Sequence, residues 1–257
     1  MKGAILGDII GSVHEHAGTK STDFALFGDD ASFTDDTVLT VATAHALLTD
    51  GDFAAAYRAF SREYPHAGYG GAFRHWFRAD NAGPYNSFGN GSAMRVSPVA
   101  WVATTESECL ELARASAEVT HNHPHGIAGA QATALGVFLL RHGADKATLR
   151  ADLTQRFGYD LSRTVDDIRP TYEFDVTCQG SVPEAIIAFL DSDSVESAIR
   201  LAISLGGDAD TQAAVAGSLA EAAYGGVPDT LWSNARPRLS DPMAIITDTF
   251  VKRYGVP

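Results

Sequence analysis

A chain of 257 residues can bury a substantial core, and a formal charge of −13 argues against a nucleic-acid backbone or an anionic membrane surface as partner, since both are met by a surplus of Lys and Arg. The only cysteines, Cys109 and Cys178, have no second Cys or His at metal-ligand spacing, which excludes a disulfide framework and an ordinary zinc site. No linker, low-complexity tract or like-charge block divides the chain, so one domain over 1–257 is expected.

At the N-terminus an apolar run is interrupted by Asp8 and by Gly3, Gly7 and Gly11 before it reaches the length of a signal-peptide core or a membrane span. A soluble, cytoplasmic, monomeric protein is expected. Gly7-Asp8-Ile9-Ile10-Gly11-Ser12 reads as a glycine-bracketed turn leading to Glu15. The stretches Val38 to Leu48 and Ile127 to Leu140 are apolar nearly all round, as helices buried on most sides are. Phe53, Tyr57, Phe60 and Tyr64 fall on one helical stripe, as do Leu149, Leu153 and Phe157, and both stripes predict core rather than cofactor contacts. Tyr172 to Cys178 alternates like a strand. Ser181-Val182-Pro183-Glu184 has the form of a capping box and predicts a helix start. The apolar spacing from Val195 to Ile203 predicts a helix that Gly206-Gly207 ends, and the next helix is expected to open at Asp210 and run through Ala223 to Gly225. The sum is an all-α bundle with long functional loops.

Two of the predicted helices open on acidic clusters, Thr34-Asp35-Asp36-Thr37 and Asp208-Ala209-Asp210-Thr211. Either one alone is an N-cap, worth about 1 kcal/mol. Together they carry four aspartates that would repel one another in a shared site unless cations neutralise them. Two divalent ions balance four aspartates, and an all-oxygen donor set selects Mg²⁺ or Mn²⁺. Ser87-Phe88-Gly89-Asn90-Gly91-Ser92-Ala93-Met94-Arg95 reads either as a surface turn or as a loop presenting backbone N–H groups to a pyrophosphate. In Thr120-His121-Asn122-His123-Pro124-His125 the histidines are expected in a polar loop, with His121 a hydrogen-bond partner of substrate rather than a titrating base.

The stretches GAILGDIIGSVHEH, FTDDT, PYNSFGNGSAMR, THNHPHGIAGAQA and SVPEAIIAFL followed by SLGGDADTQAAVAG, in this order, resemble the ADP-ribosylglycohydrolase family over nearly the whole chain. The resemblance implies an all-α fold with a dinuclear Mg²⁺ centre held by Thr34, Asp35, Asp36, Asp208, Asp210 and Thr211. It also implies that Ser87, Phe88, Gly89, Asn90, Gly91 and His121 hold the diphosphate and adenosine side of ADP-ribose. Glu15, Asp35, Asp36 and Asp210 become the candidate catalytic carboxylates. The implied activity is release of ADP-ribose from a protein side chain such as serine or arginine, or from O-acetyl-ADP-ribose. Two rivals come from other classes: a non-catalytic ADP-ribose sensor or immunity protein, and a two-metal phosphohydrolase cleaving the pyrophosphate.

Overall fold

Side-chain caps open many of the helices. The side chains of Thr34, Asp52, Thr105, Asp145, Thr177 and Ser194 each accept a backbone N–H from the first turn that follows, satisfying donors that a helix start leaves unpaired. In the computed structural model, which describes residues 1–255, the α-helices are α1 (Lys2–Gly11), α2 (Asp35–Leu48), α3 (Phe53–Glu63), α4 (Gly71–Arg78), α5 (Gly91–Met94), α6 (Ser97–Val102), α7 (Glu106–Glu118), α8 (Pro124–Arg141), α9 (Lys146–Phe157), α10 (Val165–Ile168), α11 (Cys178–Asp191), α12 (Val195–Ile203), α13 (Ala209–Ala223), α14 (Asp229–Ala235) and α15 (Asp241–Tyr254). The last two residues of the expected domain, Val256 and Pro257, lie outside the described residues. The all-α class is as expected, and one buried apolar cluster runs from Met1 to Phe250.

At the centre lies α13, buried from Ala209 to Glu221 and packed by α1, α8, α11 and α12. Its residues are mostly small, so its neighbours approach closely. Most intimate is α1: a Cβ on Gly3 would lie 2.1 Å from the Gly217 carbonyl oxygen, one on Gly7 2.1 Å from that of Ala213, and one on Gly11 2.5 Å from Asp210 Cα. The three glycines stand four residues apart, on one helical face. The turn expected at Gly7 to Ser12 is therefore absent. Gly7 to Gly11 form the second half of α1 and Ser12 its C-cap, and the glycines serve backbone-to-backbone packing rather than chain reversal. Glu221 closes the far end of the contact by accepting the Lys2 and Gly3 N–H groups at 3.1 and 2.9 Å.

Three further expectations change in detail. Tyr172 to Cys178 forms no strand; an isolated antiparallel bridge joins Thr177 to Gly89. The helix expected to start at Ser181 starts at Cys178, because Thr177 is its cap and Pro183 is accommodated inside its first turns. The helix expected to open at Asp210 opens at Ala209, with Asp208 in the cap position. The aromatic stripe of α3 and the Leu149–Leu153 stripe of α9 do face the core. No helix among the described residues is long and apolar enough to cross a membrane.

Because Gly7 meets backbone rather than a yielding side chain, Gly7→Ala must push α1 off α13. The expected cost is about 1–3 kcal/mol of stability or more, read as a lowered midpoint in urea unfolding. An unchanged midpoint would contradict the close-packed contact.

Candidate functional site

The close approach of α1 puts Asp8, a fully buried residue, at the first turn of α2. Its carboxylate accepts the Thr34 N–H at 3.0 Å, the Thr34 hydroxyl at 2.6 Å and the Thr37 N–H at 3.1 Å. Asp8 thus fixes the start of α2, and with it Asp35 and Asp36. Burial, reinforced by the nearby Asp210, pushes its carboxyl up to about 7. In the sequence Asp8 stands out only as an acid that interrupts an apolar run. The signal available was a lone acid inside a helical apolar segment, which must find strong donors to be tolerated.

Thr34 has the capping role foreseen for it: its hydroxyl accepts the Asp36 N–H at 3.3 Å while donating to Asp8. Asp208 occupies the equivalent position before α13, but its side chain makes no capping bond. Instead it accepts from Asn90 Nδ2 at 2.7 Å, and the same nitrogen donates to Ser181 Oγ at 3.1 Å. Gly206, at φ +71°, allows the sharp turn between α12 and Asp208. The two clusters meet directly, for Thr211 Oγ1 lies 3.3 Å from Asp36 Oδ1. The other oxygen of Asp36, Oδ2, is buried with no protein partner.

Glu15 comes from the 12–34 segment between α1 and α2. One carboxylate oxygen each of Glu15, Asp208 and Asp210 lie within 4.8 Å of one another. Lys20 clasps this segment to the Gly206 turn by donating to the carbonyls of Leu205 and Tyr172. Burial and then the Asp210 charge raise the carboxyls of Asp35, Asp36 and Asp208 well above the usual range, and raise that of Glu15. A buried group of carboxylates with an orphaned oxygen and only oxygen donors fits hard divalent cations, which would neutralise it.

The Ser87 to Gly91 segment lies against residues 176–178: Asn90 N–H donates to the Val176 carbonyl at 2.8 Å, and Cys178 N–H to the Phe88 carbonyl at 2.9 Å. The N-terminus of α8 presses on it so closely that a Cβ on Gly126 would lie 2.6 Å from the Ser87 carbonyl oxygen. His121 is 5% exposed, and burial together with Arg95 holds its imidazole well below the usual histidine range. It is a neutral hydrogen-bonding group. The expected loop role holds for His123, whose Nδ1 accepts the His125 N–H at 3.1 Å and so caps α8.

Glu15, Asp35, Asp36, Asp208, Asp210 and Thr211 line one cleft of about 330 Å³ with Ser87, Gly89, Asn90, Gly91 and His121. Thr34 and Phe88 are not among its lining residues. Thr34 is committed to Asp8 and the α2 cap, while the Phe88 ring is 45% exposed and packs on His123 with centroids 5.3 Å apart. The wall also contains Tyr85, which the PYNSFGNGSAMR stretch includes, and Gly68, Gly70, Gly71 and Phe73, which were not among the expected site residues. Their nearest signal was the glycine run around Tyr69, whose preceding residue Ala67 accepts the Asp35 N–H at 2.6 Å.

Comparison with known proteins gives a consistent set of relatives. The ADP-ribosylhydrolase ARH3 of Gallus gallus is 29% identical to this chain, over 88% of it and 84% of the relative. The human ARH3 is 28% identical over the same shares. The ADP-ribosylarginine hydrolase Tri1 of Pseudomonas putida is 29% identical over 75% of this chain and 59% of its own length. A solved structure described as an ADP-ribosylglycohydrolase-related protein complex superposes with a TM-score of 0.71 at 27% identity, covering 98% of this chain and 97% of that one. The model of the ADP-ribosylglycohydrolase family matches residues 1–254, and the chain belongs to that family.

Proposed function

We propose that this protein is a magnesium-dependent hydrolase that cleaves the glycosidic bond between ADP-ribose and an acceptor, releasing ADP-ribose. The observation that carries this reading is the meeting, in one cleft, of the carboxylates from α2, α13 and the Glu15 segment with the Ser87–Gly91 loop and the neutral His121. Family membership and the names of its relatives, an ADP-ribosylhydrolase and an ADP-ribosylarginine hydrolase, support the same bond class. The cleft suits an elongated ligand with an anionic middle and a hydroxyl-rich end: the glycine loop and His121 offer hydrogen bonds to the diphosphate, and the carboxylates receive the ribose.

Two Mg²⁺ ions, held by Asp35, Asp36, Asp208, Asp210 and Thr211, would supply Lewis acidity toward the ribose hydroxyls and lower the pKa of an attacking water. The chain's own residues do the rest. Glu15, half-buried and raised in pKa, takes a proton from water as its oxygen bonds to the anomeric carbon. The bond from that carbon to the acceptor breaks, and the proton held on Glu15 is available to the leaving acceptor. Asp35, Asp36 and Asp210 place negative charge close to the cationic, oxocarbenium-like transition state. Asn90, bridging Asp208 and Ser181, ties the Ser87–Gly91 loop to the start of α13 and to α11.

With Mg²⁺ and a panel of serine-, arginine- and O-acetyl-linked ADP-ribose substrates, the product is expected to be intact ADP-ribose from at least one of them. AMP plus ribose phosphate would replace this reading with pyrophosphate cleavage, and unchanged ligand would replace it with a binding protein. Asp35→Ala and Asp210→Ala are each expected to lower turnover by more than about a hundredfold, beyond the usual loss for an outer-shell partner. Glu15→Ala is expected to slow turnover with little change in ADP-ribose affinity, and a parallel loss of both would move Glu15 from chemistry to binding.

The raised carboxyls also set a pH dependence of stability. A folded-state pKa above the unfolded value means that the folded protein binds more protons, so without metal stability falls as pH rises from the ordinary Asp range through about 7, to which burial pushes Asp8. The metal-free protein should therefore melt at a lower temperature at pH 8 than at pH 5, and millimolar Mg²⁺ should narrow the gap by stabilising the ionised cluster. A gap that Mg²⁺ leaves unchanged would count against metal at the cluster.

A further inference from the structure

The carboxylates of the cleft have a cationic counterpart in its wall. Arg95, with no exposed surface, is the only Lys or Arg among the lining residues. Its guanidinium stacks on Tyr57, with Cζ 4.2 Å from the ring centroid. Nη2 donates to the Ser116 carbonyl and to Thr120 Oγ1, both at 3.0 Å, while Nε and Nη1 are buried with no partner among the described residues. No carboxylate pairs with it there. A buried cation without a counter-charge is costly, and in the proposed reaction the anion that could offset it is the substrate's diphosphate.

Thr120 connects this cation to His121. Its hydroxyl oxygen lies 2.7 Å from His121 Nδ1 and accepts from Arg95, so its single proton has Nδ1 as its one acceptor in the structure. Were Nδ1 protonated, the Thr120 oxygen would accept twice and its own proton would be left buried and unused, a state that costs free energy. Nδ1 is therefore the acceptor and Nε2 carries the hydrogen. Nε2 faces the glycine loop: a Cβ on Gly91 would lie 3.3 Å from it and one on Gly89 3.7 Å.

We infer that Arg95 and Thr120 are positioning residues that lock His121 as a neutral Nε2–H donor, directed at an anionic group lying along Gly89–Gly91. The inference rests on the proposed reading for the identity of that anion, the diphosphate of ADP-ribose, but not for the tautomer itself.

Two readouts separate these parts. Two-bond ¹H–¹⁵N correlation spectra of the ligand-free protein at pH 7 should show His121 protonated on Nε2 only. In Thr120→Val this lock is lost and the Nδ1–H form appears, while Thr120→Ser, which keeps the hydroxyl, retains the wild-type signature. ADP-ribose affinity should fall about tenfold in Thr120→Val, the size of one hydrogen bond, and recover in Thr120→Ser. An Nδ1–H or doubly protonated ring in the wild type overturns the inference. So does a Thr120→Val protein whose tautomer and affinity are unchanged. Wild-type protein with the Nε2–H signature and no affinity for ADP-ribose would instead overturn the proposed function and leave the positioning relay standing.

Discussion

The backbone contact between α1 and α13 is the constraint on which the site depends. Gly3, Gly7 and Gly11 let the two helices approach until carbonyl oxygens of α13 occupy the space that side chains would need. Only at that separation can Asp8, on α1, reach the start of α2 while lying close enough to feel the Asp210 charge. α2 is then anchored with Asp36 beside Thr211. A larger residue at any of the three positions would separate elements that bring carboxylates from distant parts of the chain together.

Electrostatics opposes that convergence. Asp8, Asp35, Asp36, Asp208 and Glu15 are all driven upward in pKa, with burial the leading cause and Asp210 the next. Hydrogen bonds answer part of the opposition: Asp8 has three donors from Thr34 and Thr37, and Asp208 has Asn90. Asp36 keeps an oxygen with none. The charge left over is what makes the cluster a cation site in the proposed mechanism rather than a set of caps. Asp208 illustrates the distinction, since it stands at a cap position and leaves the capping undone. The wall of the same cleft carries Arg95, a buried cation with no carboxylate partner among the described residues.

Much of this was legible in the sequence, for physical reasons that differ from element to element. The all-round apolar stretches gave α2 and α8, the stripes gave α3 and α9, and the apolar spacing from Val195 gave α12, which ends at Ile203, ahead of Gly206-Gly207. The two acidic clusters stood out because each precedes an apolar helix, and cap position leaves few local roles for so many carboxylates. Gly7 to Ser12 misled because glycine serves turns and close helix contacts alike, and sequence does not say which neighbour comes near. Asp8 was hidden for the same reason: its donors lie across a helix pair. The start of α11 was misplaced because Ser181 and Glu184 imitate a capping box while Thr177 makes the actual cap. Phe88 was grouped with its loop by motif, yet alternation along the segment turns its ring to the outside, onto His123.

The central claim is that the converged carboxylates form a dinuclear cation site at one end of an ADP-ribose cleft. An anomalous difference map from crystals grown with Mn²⁺ and ADP-ribose tests it most directly. The account predicts two peaks among Asp35, Asp36, Asp208, Asp210 and Thr211, with the diphosphate lying along Gly89–Gly91. A map in which those carboxylates hold no ion while the ligand occupies the cleft would contradict it.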